Sequence, residues 1–411
     1  MSVIGFDMPP ELAAIERGIR DFARREIIGR HERHRSLFDD PRQVFNEDGS
    51  HAPIVRELIR EIRMASAQAG YFNMSVPEQL GGGGLGMLAY YVGFHALFHT
   101  CGARNWMCQW GISHWALGPS RILRHASELA RQRVVEPLIS GEKSMCFGLS
   151  EPGAGSDATT IKTRARAERD GWRITGRKIW TTNSPLADFC LVFAVTDAEA
   201  AAQKRGGISA FLVPTDAPGF LVQRTIRFWN QVGGDEGEIV LEDVRVDAWQ
   251  LVGKLHEGFA VALDGVSIGR IYNSAKAVGL GRWALEQALD YVQTREAFGN
   301  PLSSYQAMAF PLAESATELH AAHLLGLNAA RLMDTGHAAI KEVSMSKYYS
   351  VDVAVRACNR AMQAHGAMGF TNELGLAEAY HLCRVLTVAD GTDEILKRTI
   401  AQRLFKGDTA L

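Results

Sequence analysis

"WRITGRKIWTTN", residues 172–183, and "FCLVFAVT", residues 189–196, decide how this chain is read. Each is a short run rich in β-branched and aromatic residues, the composition of a strand. The same texture returns in "ISAFLVP" (208–214), "FLVQRTI" (220–226) and "GEIVLEDVRV" (237–246). Asp170-Gly171, Gly206-Gly207, Pro218-Gly219 and Gly233-Gly234 cut the runs apart. Short strands separated by turn residues of this kind predict an antiparallel sheet or small barrel between Ser144 and about Gly253.

On both sides the period changes. "ELAAIERGIRDFARREI" (11–27) and "IVRELIREIRMASAQAG" (54–70) repeat apolar residues at helical spacing. So do "ALEQALDYVQTREAF" (284–298), "AESATELHAAHLLGLNAARLMD" (313–334) and "VSMSKYYSVDVAVRACNRAMQAHGAM" (343–368). The expected class is α+β: an N-terminal all-α domain over 1–143, a middle antiparallel β-domain (barrel or sandwich) over 144–255, and a C-terminal four-helix bundle over 256–411. That order excludes a doubly wound fold, in which strands and helices alternate. Pro311 lies in a helical stretch and either kinks that helix or marks its start.

The 411 residues carry 44 basic and 46 acidic side chains, too balanced for a general nucleic-acid binder. No window approaches ~18 consecutive apolar residues, so no membrane span is expected. No basic-then-apolar segment precedes Met8-Pro9-Pro10, so no secretory leader is expected. Six cysteines without CxxC spacing read as reduced, mostly buried thiols of a cytoplasmic protein. "GGGGLG", 81–86, matches G-x-G-x-x-G in letters only. Its preceding stretch "NMSVPEQL" is a poor strand, and no acidic residue follows about 20 positions on, so it reads as a flexible loop between helices.

Two stretches carry chemistry. In "FGLSEPGAGSDATTIKT" (147–163) Gly153 and Gly155 let backbone N–H groups approach an anion, with Ser150 and Ser156 as hydroxyl donors; a surface turn is the plain alternative. Trp180 and Thr182, two apart on a strand, offer a ring and a hydroxyl to one side, suited to a flat heterocycle or to ordinary packing. In "VADGTDEILKRT" (388–399) Asp390 ends an apolar run just before a helix, where it reads as an N-cap or as a functional carboxylate.

"CFGLSEPGAGSDATTIKTRA", "GRKIWTTN", "TREAFGNPLSSYQAM", "QAHGAMGFTNE" and "VADGTDEIL" stand in the order and spacing of the acyl-CoA dehydrogenase family of flavoproteins, which the chain resembles from about Pro10 to Leu404. The resemblance implies FAD as cofactor. Its flavin is expected against Phe147, Leu149, Ser150, Gly155, Ser156 and Trp180, with Thr182 near flavin N5. Arg295, Phe298 and Gln306 resemble the segment that a neighbouring subunit lends to the FAD pyrophosphate, for which a guanidinium is well suited. Gln363, Gly366, Thr392 and Glu394 match further FAD contacts. Ser156, Ser267, Arg270 and Gly391 match acyl-CoA contacts. A cofactor shared between chains implies a homodimer or homotetramer, and the family passes its electrons to an electron-transferring flavoprotein.

By the same resemblance Asp390 occupies the place of the catalytic base, usually Glu, that removes the proton α to the thioester. A base must come within about 3 Å of that proton. Asp is one methylene shorter, so about 1.5 Å of reach has to be recovered. Members that carry the base on the helix before Arg270 would have it at the position of Gly269, which leaves no competitor. An Asp at this place also occurs in nitroalkane oxidase, so an oxidase of the superfamily is an alternative, as is a non-catalytic FAD-binding homologue. Trp106, Trp110 and His114, spaced i, i+4, i+8, would line one helix face and either pack inward or shorten the acyl cavity.

Overall fold

A computed structural model describes residues 8–229 and 231–410; the expectation about a leader concerns residues 1–7, outside that range. The chain forms two compact units. One holds Arg30–Gly84 and Ile112–Gly269; the other holds the chain up to Gly29, Leu85–Gly111 and Arg270 onward.

The first unit is built on a sheet of β1 (Met145–Gly148), β2 (Arg164–Glu168), β3 (Gly171–Thr182), β4 (Phe189–Val195), β5 (Ile208–Pro214), β6 (Phe220–Ile226), β7 (Glu236–Asp247) and β8 (Leu251–Val252). The order is β6-β7-β3-β2-β4-β5-β8, with β1 paired to β4. The interiors of β4 and β5 are buried throughout, as their unbroken apolar runs require. β6 is an edge strand whose middle, with Gln223 and Arg224, is exposed. Ile174, Val192, Phe211, Val213, Ile239 and Val246 form the core of this layer. Gly171, closing the β2–β3 hairpin, is obligatory: a Cβ there would sit 2.1 Å from the Val246 carbonyl oxygen.

The sheet is mostly antiparallel, with one departure that matters. β1 pairs with β4 at Met145–Phe189 through Gly148–Val192, and β2 meets β4 at Arg164–Val195, both in parallel. β5 occupies the other edge of β4, so β1 and β2 lie in line along one edge. Residues 149–163 are therefore an excursion that leaves the sheet and returns to the same line.

"GGGGLG" is a turn with no strand ahead of it, but it is not loose. A Cβ at Gly82 would lie 2.2 Å from the Val76 carbonyl oxygen and one at Gly83 2.8 Å from that of Met74. Gly82, Gly83 and Gly84 N–H donate to the carbonyls of Pro77, Asn73 and Val76. The glycines serve close backbone packing.

The second unit is helical: α1 (Pro10–Phe22), α2 (Gly86–Cys101), α3 (Gly258–Thr294, whose first turns belong to the β-unit), α4 (Gln306–Asp334), α5 (Ile340–Ala364), α6 (Leu376–Leu386) and α7 (Asp393–Phe405). α2 is apolar all round and buried all round. Its first N–H groups, at Met87 and Leu88, donate to the Asp334 carboxylate at 2.6 and 2.8 Å, a cap supplied from the end of α4. α4 begins at Gln306, so Pro311 lies inside the helix and does not start it. The expected face of Trp106, Trp110 and His114 does not exist. α2 stops at Cys101, where Gly102 takes φ +60, outside the helical range, and a Cβ there would meet the Trp283 ring at 2.3 Å, so only glycine fits that turn. Trp106–Trp110 is a separate 3-10 segment and His114 is non-helical. No helix among the described residues is long and apolar enough to cross a membrane. All six cysteines are buried free thiols, and contacts bring them into three pairs: Cys101 with Cys108, Cys146 with Cys190, and Cys358 with Cys383.

Candidate active site

In the β-unit, the 149–163 excursion is fastened to β3. Ile179 N–H donates to the Ser150 carbonyl at 3.0 Å. Lys178 Nζ donates to the Leu149 carbonyl at 3.1 Å and to Glu151 Oε1 at 2.8 Å. Glu151 also accepts from the N–H groups of Lys162 and Thr163, which pins the returning end of the loop. Burial pushes Lys178 down to about 8, though Glu151 opposes the shift. Burial works to raise Glu151, yet Lys178 and the two donors hold it below its ordinary value. A buried pair of this sort fixes geometry more than it adds stability.

Beside this clasp, β3 bulges. Lys178 pairs with Ile239 and Thr181 with Gly237, so Ile179 and Trp180 together face one partner residue, and Trp180 takes φ +59. Plain alternation would turn Trp180 the same way as buried Lys178. The bulge instead leaves the Trp180 ring 54% exposed, with Thr181 buried behind it and Thr182 half-buried. Trp180 stacks on Phe228, centroids 5.9 Å apart at 10°. Phe147 turns into the sheet's packing against Trp115 and Phe193. Gly153 and Gly155 are exposed and a Cβ at either would touch nothing, so the fold itself does not require their small size. Ser150, Ser156 and Thr182 hydroxyls donate to no protein group among the described residues.

In the helical unit, the turn between α6 and α7 carries Asp390. Its backbone is left-handed, φ +52, followed by Gly391 at φ +100. A non-glycine residue in this region costs roughly 1–2 kcal/mol, although Asp and Asn tolerate it best. Two cations, half-buried Arg270 and buried Lys347, hold the strained turn. Arg270 Nε donates to the Asp390 carbonyl at 3.1 Å, and Lys347 Nζ donates to the Gly391 carbonyl at 2.9 Å. Asp390 Oδ2 accepts from Asn273 Nδ2 at 2.9 Å. The residue as a whole is half-buried, while its carboxyl faces inward, and burial pushes its pKa up to about 6 against the pull of Lys347, Arg270 and Asn273. Burial also drives Lys347 down to about 8, partly offset by Asp393 and Asp390.

Asp390 does not cap the helix. Thr392 is the N-cap of α7, its side chain accepting from the Ile395 N–H at 3.3 Å. The cap reading belongs to Thr392.

The remaining sequence-derived positions are dispersed. Arg295 and Phe298 lie on a two-residue hairpin between Glu296–Ala297 and Asn300–Pro301, with Phe298 at φ +53, Gly299 at φ +80 and the Phe298 side chain 96% exposed. Gln306 opens α4, Gln363 is in the last turn of α5 and Gly366 follows that helix; all three are exposed, as is Glu394. Glu394 hydrogen-bonds with Thr392 at the end of the Asp390 turn; Arg295, Phe298, Gln306, Gln363 and Gly366 make no hydrogen bond to that turn among the described residues. Ser156 is exposed in the β-unit, and the half-buried Ser267 hydroxyl donates to the Leu263 carbonyl. Sequence reasoning missed Asn273, Lys347 and the Glu151–Lys178 clasp. A lysine inside an amphipathic helix and an Asn three residues after Arg270 give no local signal; their partners are remote in sequence.

Three family profiles, described as the N-terminal, middle and C-terminal domains of acyl-CoA dehydrogenase, match residues 9–142, 146–244 and 256–405. The chain belongs to the acyl-CoA dehydrogenase family. Among relatives of this family, the mitochondrial short-chain specific acyl-CoA dehydrogenase of Homo sapiens is 36% identical over 360 residues, 86% of each chain. The caffeyl-CoA reductase-Etf complex subunit CarC of Acetobacterium woodii is 32% identical over 350 residues, 85% of this chain and 91% of that one. A glutaryl-CoA dehydrogenase of Mycobacterium smegmatis in complex with FADH2 superposes with TM-score 0.81 and 26% identity, covering 98% of this chain and 96% of that one. The protein is thus an oxidoreductase acting on CH–CH bonds, and its cofactor is FAD. The exposed Trp180 ring, the uncommitted hydroxyls and the glycines that the fold does not need fit that group.

Proposed function

We propose that this chain dehydrogenates short acyl-CoA thioesters between Cα and Cβ, with Asp390 as the base. The observation that carries the reading is the Asp390 turn. A carboxylate with no capping duty is kept facing inward from a strained, half-buried turn, and its burial raises its pKa to about 6. A base poised there is ionised at neutral pH and binds a proton more tightly than free Asp, near ~3.9. On this reading Asp390 removes the α-proton, and Gly391 N–H and Arg270 lie where the thioester is bound. FAD supplies the acceptor for the β-hydrogen as hydride. Phe147, Leu149, Ser150, Gly155, Ser156, Trp180 and Thr182 hold the flavin. Arg295, Phe298, Gln306, Gln363, Gly366, Thr392 and Glu394 hold the rest of FAD, partly across a homodimer or homotetramer contact; the 96% exposure of Phe298 supports such a contact. Ser156 and Ser267 contact CoA.

The short acyl group and an electron-transferring flavoprotein as acceptor draw support from the relatives' names. The three-part division at 1–143, 144–255 and 256–411 and a cytoplasmic setting belong to the same reading, the latter supported by six free buried thiols. The test is anaerobic flavin bleaching by a panel of acyl-CoA esters. Fastest bleaching by a short ester is expected. Steady peroxide formation in air with a nitroalkane would move the protein to the oxidases, and no bleaching by any ester would make it a non-catalytic homologue.

A further inference from the structure

Asp390 is a short side chain on a turn that is held by its backbone. Arg270 grips its carbonyl and Lys347 grips the next one, so both cations act on the main chain. The carboxylate itself receives one hydrogen bond among the described residues, from a neutral amide, Asn273 Nδ2 to Oδ2 at 2.9 Å. Asn273 is 2% exposed and lies three residues after Arg270, so the two share one face of α3. Oδ1 accepts no hydrogen bond from the described residues.

We propose that Asn273 is the positioning residue of this site: it fixes the rotamer of the short Asp390 carboxylate and leaves Oδ1 to take the proton. The proposal rests on Asp390 being the base. A neutral donor is the chemistry such a task needs. A guanidinium or ammonium bonded to the carboxylate would favour its ionised form far more and drain its basicity, because charge-assisted bonds are about twice as strong as neutral ones. An apolar residue would leave the carboxylate free to rotate, and a misplacement on the order of 1 Å is costly to proton transfer. The groups that set the Asp390 charge are few: Arg270 and Asn273 from α3 and Lys347 from α5; Asp393, on the following turn, sits 3.7 Å from Lys347 and pairs with that cation instead. Asn273 alone among them touches the carboxylate without adding charge.

The test measures anaerobic stopped-flow flavin bleaching of the FAD-loaded enzyme by butyryl-CoA across pH, for wild type, Asn273→Leu, Asn273→Asp and Asp390→Asn. With Asn273→Leu the midpoint of the rising limb should move up by about one unit, since a hydrogen bond to the ionised form is lost. The high-pH rate should fall roughly ten- to hundredfold, with half-saturation by butyryl-CoA little changed. Asn273→Asp, nearly the same size, sets a second carboxylate against the first and should raise the midpoint at least as far. It carries the test if the Leu variant does not fold. A merely structural Asn273 would not move the midpoint. Wild-type midpoints and rates in both variants, with Asp390→Asn slow, overturn the role of Asn273 alone. Wild-type bleaching by Asp390→Asn overturns the base reading on which it stands.

Discussion

Replacing Asp390 by Asn should make the protein slower and more stable at once. Asn is nearly isosteric, tolerates the left-handed backbone at φ +52, and cannot take a proton. Loss of general-base catalysis should cut flavin reduction by about two to four orders of magnitude. The stability change follows from burial, which raises the Asp390 pKa from 3.8 to about 6. A raised carboxylate contributes fully below its unfolded value, and that contribution is lost as pH rises through about 6. The shift corresponds to roughly 3 kcal/mol at most, and discounting for partial exposure of the residue leaves about 1–2 kcal/mol. Urea unfolding of the two proteins should therefore coincide near pH 4 and separate by pH 7, with the Asn variant the more stable. Thr392 remains as cap, so no helix-end loss offsets the gain. A stability difference that is flat between pH 4 and pH 8 would refute the burial argument. An unchanged reduction rate would refute the assignment of the base.

Lys178→Met should strand the buried Glu151 carboxylate and cost about 3–5 kcal/mol, read by chemical denaturation, with protease cleavage appearing in the unclasped 149–163 segment. Arg295→Ala, at an exposed hairpin with no ion pair among the described residues, should leave folding unchanged but speed FAD loss on dilution; full flavin occupancy by absorbance would count against its role. His323 lies in a buried polar chain with Tyr91, His95 and Arg282, and burial lowers it to about 4 while His95 falls well below its ordinary value. A depressed histidine stabilises above its unfolded pKa and loses that contribution as pH falls toward its folded one, so stability should drop between about pH 6.5 and 4. The drop should be shallower in His323→Asn, followed by thermal melting across that window.

The chain's division into helix, sheet and helix is legible in periodicity, since burial of one face imposes 3.6- or 2-residue spacing on each segment wherever it ends up. Turn glycines such as Gly171 announce themselves for a similar reason: no other residue fits. Where legibility failed, a remote partner was responsible. The spacing of Trp106, Trp110 and His114 suggests a helix face, yet the chain leaves the helix at Gly102, where a positive φ and the ring of Trp283, far along the chain, leave room for glycine alone. Strict alternation on β3 would have paired Trp180 with Lys178, but the bulge against β7 re-aims the ring.

The same division holds at the site. By itself the sequence determined that a carboxylate, Asp390, stands before Gly-Thr at the head of the last helix, and that glycines and hydroxyls follow β1. Those are properties of neighbouring residues, which the order of the chain conveys directly. Only the tertiary structure decided that Thr392 does the capping, that the backbone at Asp390 is left-handed, and that Asn273, Arg270 and Lys347 converge on its turn. Hydrogen bonds and desolvation depend on distance in space, and the residues that set the charge of Asp390 lie 43 to 120 positions away along the chain (390 − 347 and 390 − 270).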